Sequence, residues 1–124
     1  MLLNAAAVFF GGAIGSLFRF LIAEFLPMKK FGIPLTIIVV NILGCFIMGM
    51  ADAFFESRTA ATQYRYFITV GLLGGFTTFS AFSLDFANLI KNGQMISGAI
   101  YVLISVVFAL IGFWLGYSLI KALR

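Results

Sequence analysis

Ten residues, Gly74 to Ser83 (GGFTTFSAFS), place two glycines, four hydroxyls and three phenyl rings inside a run otherwise apolar enough to cross a bilayer. Adjacent glycines followed by two threonines make a poor helix interior and a good place for a helix to break. A break in a membrane frees backbone carbonyls and N–H groups, which neighbours, water or an ion must then satisfy. Oxygen ligands of that kind suit a hard cation. Just beyond, Phe79 and Phe82 stand at i, i+3 on one face, with Phe76 a turn earlier and Phe86 a turn later. Such a stripe ordinarily packs against lipid or core. Here it is interleaved with Thr77, Thr78, Ser80 and Ser83. A phenyl ring is electron-rich on its face and positive at its edge. Edges turned into a passage stabilise an anion without a fixed charge that would hold it too long.

Two further sets of residues bear on such a passage. Asn41 lies about a third of the way along another apolar run, where an unbonded amide is costly. It either makes an interhelical bond or faces a wet passage. In the last run Gly98, Tyr101, Ser105, Ala109, Gly112 and Gly116 follow at steps of three or four. They draw one small or hydroxyl-bearing face, which either packs on a neighbouring helix or lines a conduit.

The rest of the chain excludes most other chemistry. Histidine is absent and Cys45 is the single cysteine. That removes a His/Cys metal centre, a Cys-His or Ser-His-Asp triad and a disulfide within the chain. Cys45 reads most simply as a small hydrophobe. Among the carboxylates, Glu24 lies near the end of the first run, while Asp52, Glu56 and Asp85 lie late in theirs or just beyond. A small multidrug-type, proton-coupled exporter needs a carboxylate near the membrane centre, so that class is disfavoured. A non-conducting accessory subunit would explain the glycine pairs but not the clustered hydroxyls and rings. The net charge of +4 includes no basic cluster larger than Lys29-Lys30, so nothing points to nucleic acid.

These residues need elements to hold them. The 124 residues are 63% hydrophobic and only 10% charged, against roughly a quarter charged in a soluble domain. Apolar runs at about 3–26, 35–55, 66–90 and 95–120 are separated by PMKKFGIP, ESRTAATQYR and KNGQ. Each run is long enough to span a bilayer. The first has no basic leader, so it reads as a retained helix. The expected fold is therefore an all-α integral membrane bundle of four transmembrane helices, one domain over 1–124, broken in the third helix, with both termini on one side.

Arg58, Arg65, Lys121 and Arg124 fall on that side; Lys29, Lys30, Lys91 and, if it reaches that way, Arg19 fall on the other. Orientation follows an asymmetry of such bases, and here there is almost none. The count predicts insertion both ways up, which makes an antiparallel homodimer the expected assembly. Small-xxx-small pairs at Gly11/Gly15, Gly71/Gly75 and Gly112/Gly116 predict close helix contacts and an oligomeric bundle.

Taken together, GGFTTFSAFS, GGAIGSLFRF in the first run, Asn41-Ile42-Leu43-Gly44 in the second and the Tyr/Ser face of the fourth resemble the Fluc (CrcB) fluoride channels along the whole chain. The resemblance implies a dual-topology homodimer in a bacterial inner membrane, with two fluoride pores each built from both subunits. Under it, Asn41 donates its amide to the ion, Phe79 and Phe82 line the path with their edges, and Thr78, Ser80, Ser83, Tyr101 and Ser105 supply hydroxyls along or near it. Arg19 resembles a vestibule arginine that attracts anions. The carbonyls of Gly74 and Thr77, doubled by the two-fold axis, would hold a structural Na⁺. Ala109 stands where some members would carry a further hydroxyl. Fluoride is small and strongly hydrated, so a pore for it must replace lost water with dipoles of this sort.

Overall fold

A computed structural model describes all residues from Met1 to Arg124. Four long apolar helical segments cross the molecule, as expected for a four-span membrane protein. They are α1 (Leu2–Phe25), α2 (Thr36–Glu56), a composite third segment (Thr62–Lys91) and α6 (Met95–Ala122). The third segment comprises a short α3 (Thr62–Arg65), a π-helical stretch (Tyr66–Leu73), α4 (Gly74–Phe76) and α5 (Phe79–Lys91).

Two pairings organise the bundle, and each depends on missing side chains. α1 lies along the π-helical stretch and α4, while α2 lies along α6. A Cβ on Gly15 would run into the Leu72 carbonyl, and one on Gly75 would stand 2.7 Å from the Gly12 carbonyl. Likewise a Cβ on Gly116 would collide with the Phe46 carbonyl, and one on Gly49 with that of Phe113. Backbones this close gain dispersion contacts in a medium where the hydrophobic effect offers helices little. The glycine pairs read from the sequence as oligomer contacts are thus engaged within the chain.

The link between α1 and α2 departs from an all-helical expectation. Lys29–Lys30 (β1) and Ile33–Pro34 (β2) pair antiparallel, Lys30 opposite Ile33. Phe31 (φ 53°) and Gly32 (φ 78°) form the two-residue turn, and positive φ at both central positions matches the right-handed twist of a hairpin. Thr36 anchors it: its Oγ1 accepts from the Met28 N–H at 2.8 Å and donates to the Leu26 carbonyl at 3.3 Å. At the opposite face, Glu56 accepts from Tyr117 Oη and pairs with Lys121 Nζ, each at 2.9 Å, tying the ends of α2 and α6 together.

Candidate functional site

Between α4 and α5 the chain leaves helical geometry for two residues. Thr77 (φ −83°, ψ 154°) and Thr78 (φ −151°, ψ 123°) are extended. The backbone groups there find partners from other helices. Asn41 on α2 accepts from the Thr78 N–H through Oδ1 at 2.8 Å and donates from Nδ2 to the Thr78 carbonyl at 3.0 Å. One amide side chain therefore serves both polar groups of an extended residue, in a setting where an orphaned group is costly. Arg19 Nε donates to the Gly75 carbonyl at 3.2 Å. Thr77 keeps its N–H on the Leu73 carbonyl at 3.0 Å and adds its hydroxyl at 2.9 Å. No N–H is bonded to the Thr77 carbonyl.

The motif Asn41-Ile42-Leu43-Gly44 gains its meaning from this arrangement. Gly44 sits on the same side of α2, less than a turn from Asn41, and a Cβ there would run into the Thr77 methyl. The asparagine holds Thr78 while the glycine admits Thr77. Thr78 also restarts the helix: its Oγ1 accepts from the Ala81 N–H at 3.1 Å, a side-chain N-cap for α5.

Beside the extended pair lies a groove of about 310 Å³, lined by Asn41, Cys45, Thr77, Thr78, Phe79 and Phe82 together with Ser105, Val106, Ala109 and Leu110. It carries no charged side chain. Phe79 and Phe82 stand 5.1 Å apart between centroids at an interplanar angle of 46°. Phe82 is 9% exposed and stacks on Tyr101 at 5.4 Å, whereas Phe79 is 77% exposed. Ser105 is buried and its hydroxyl has no partner. Asn41 Nδ2 carries two hydrogens and spends one on Thr78. The groove therefore presents unspent donors, the Asn41 N–H and the Ser105 hydroxyl, among phenyl rings and aliphatic walls. An uncharged, donor-lined slot of this kind can take a small anion or water; it cannot perform nucleophilic or acid–base catalysis.

The family described as "CrcB-like protein, Camphor Resistance (CrcB)" matches residues 6–117, which include every residue of the groove. The chain belongs to the CrcB family. Its relatives include the protein named "Fluoride-specific ion channel FluC" of Rhizobium johnstonii, 36% identical over 98% of this chain and 99% of its own. A protein of the same name from Ruminiclostridium cellulolyticum is 35% identical over 98% and 95%, and one from Vibrio parahaemolyticus 38% over 89% and 88%. CrcB membership makes the chain a multi-pass membrane protein of an ion-channel family, not an enzyme.

Within this CrcB chain, the sequence-derived residues divide into two groups. Asn41, Thr77, Thr78, Phe79, Phe82 and Ser105 surround one groove. Ser80 and Ser83 are exposed and do not line it; Ser80 Oγ is 3.1 Å from Thr78 Oγ1, and Ser83 donates to the Phe79 carbonyl. Tyr101 is fully buried behind Phe82 and donates to Asp85 Oδ2 at 2.9 Å. Asp85 lines a separate cavity of about 440 Å³ beside the hairpin, with Lys29, Asn88 and Gln94. Arg19 holds the Gly75 carbonyl, and Gly74 is exposed near the break. Phe76 packs over Gly44 and Phe86 beside Gly98, so the phenyl stripe contributes only its central pair to the groove. Sequence reasoning missed Cys45 and Asp85. Cys45 follows Asn41 by four residues, a helical spacing that put it on the same face.

Proposed function

We propose that the chain is a fluoride channel that lets the anion leave the cytoplasm passively and so lowers fluoride toxicity. The observation that carries this reading is the uncharged groove with unspent donors, Asn41 Nδ2–H and the Ser105 hydroxyl, beside the Phe79 and Phe82 rings. Fluoride leaving water needs several weak donors in succession; a lysine or arginine there would bind it and slow its release. The relatives named as fluoride-specific channels point the same way. Hydrogen fluoride crosses membranes as a neutral weak acid and ionises in a near-neutral cytoplasm. An inside-negative potential then drives the trapped anion out, by about 2.3 kcal/mol per charge per 100 mV.

The groove is open on one side and leaves Phe79 exposed, which suits closure by a second copy. With the balanced bases, this supports an antiparallel homodimer in the bacterial inner membrane, carrying two pores. In that assembly Ser80, Ser83 and Thr78 serve the path from its rim, Tyr101 positions Phe82, and Arg19 supports the break while adding positive potential near it. The free Thr77 carbonyl and the neighbouring Gly74 carbonyl fit a Na⁺: neutral oxygens on extended or helix-ending backbone, with none of the acidic side chains a divalent ion would require. One chain supplies too few oxygens, so both copies would contribute. When bound, Na⁺ would bridge the two broken segments and neutralise their carbonyl dipoles.

The test is efflux from liposomes loaded with fluoride or chloride and read with the matching electrodes. Fluoride release without chloride release supports the reading. Absence of fluoride release from folded, dimeric protein, or a requirement for Na⁺ transport alongside fluoride, would sink it.

A further inference from the structure

Cys45 is the one groove residue whose chemistry has no assigned part above. It lies one turn beyond Asn41 on α2, half-buried, and lines the same 310 Å³ groove as Ser105. Ser105 is only 5% exposed and its hydroxyl lacks a partner. A buried hydroxyl is rarely left unbonded, so the groove takes up water or an anion beside it. The thiol shares that space. Across the groove stand Val106, Ala109 and Leu110, which offer it no acceptor and no charge. The chain holds no second cysteine to form a disulfide with it.

We propose that Cys45 is a thiol-modification site inside the groove, and that small apolar thiol electrophiles reaching it obstruct the passage. The obstruction rests on the groove being the channel's path; access of the thiol does not. Reaction needs the thiolate, and a thiol sealed in dry hydrocarbon would not form one. In the groove, water accepts the thiol proton. With a methanethiosulfonate reagent, the Cys45 sulfur attacks the sulfenyl sulfur and a new S–S bond forms. The bond from that sulfur to the sulfonyl group breaks, and methanesulfinate leaves with its electron pair. No external oxidant is needed. A benzylthio group left on Cys45 would stand beside Phe79, Phe82 and Ser105 and fill space the anion requires.

The experiment treats the full-length protein in liposomes with benzyl methanethiosulfonate. It reads adduct formation by intact-protein mass spectrometry and fluoride efflux from the same vesicles. One benzylthio group per chain, with efflux reduced at least about tenfold and restored by dithiothreitol, is the expected result. Cys45→Ala and Cys45→Ser should take up no adduct and keep their own untreated rates after exposure. An adduct on Cys45 with unchanged efflux would overturn the proposal, placing the thiol off the path. So would the absence of any adduct on folded protein that labels once denatured, since the thiol would then be sealed. Should the untreated protein pass no fluoride, the channel reading fails by itself, and the mass measurement still decides whether the thiol opens to the groove.

Discussion

Asn41 and Ser105 show how two polar residues in one groove carry different burdens. Asn41 closes two hydrogen bonds on Thr78, whereas the Ser105 hydroxyl makes none. Asn41→Ala should leave both Thr78 backbone groups unpaired and cost about 2–4 kcal/mol, at roughly 1–3 kcal/mol per orphaned group less any local relaxation. Thermal unfolding in detergent would read this as a lowered midpoint, together with lost fluoride efflux. Ser105→Ala should leave the unfolding midpoint within the range of a neutral substitution, about 0.5 kcal/mol, while slowing efflux. A large stability loss at Ser105 would mean that its hydroxyl is structural. Much of this was legible in the residue types: an amide in an apolar run had to be bonded or wet, and here one side chain does both. The choice of Thr78 as partner was not legible, because it depends on how α2 meets the extended pair in space. Cys45 was misjudged because a thiol scores as an apolar residue; only its spacing from Asn41 could have drawn notice.

At the scale of elements, the glycines decide how near the helices lie. Gly116 faces the Phe46 carbonyl so closely that a Cβ must push backbone apart, whereas a Cβ on Gly12 would meet nothing nearer than the Gly71 carbonyl at 3.9 Å. Gly116→Ala should therefore cost about 1–3 kcal/mol through overpacking, with Gly12→Ala close to neutral. Yields of folded protein after size-exclusion chromatography and unfolding midpoints would separate the two. The four spans were plain from runs of apolar residues, and the weakness of GGFTT as helix was plain from its composition. The hairpin at 29–34 was not, since its turn places a bulky Phe31 at positive φ, where sequence rules look for glycine or asparagine. The π-helical stretch Tyr66–Leu73 left no mark in the sequence either; its apolar residues would fit an α-helix equally well. The glycine pairs were read correctly as close contacts, but their partners proved to be α1 with the third segment and α6 with α2.

The whole molecule carries four bases on the side of its termini against three or four on the other, and a groove that one chain leaves open. Adding Thr62→Lys and Gln63→Lys should bias every copy to one orientation, since Lys and Arg near span ends direct topology. Fluoride resistance of cells expressing that variant alone should then fall. Coexpression with an oppositely biased variant, Asn92→Arg with Gln94→Arg, should restore it. Full activity of either biased variant alone would contradict an antiparallel pair. The central claim, that the groove beside Thr77 and Thr78 is the route of the ion, is tested most directly by one comparison. Fluoride efflux from liposomes is measured for the wild-type protein and for Phe79→Ile with Phe82→Ile, each confirmed folded and dimeric. Rapid release by the wild type and collapse in the variant is the expected result; equal release by both would contradict a path lined by these rings.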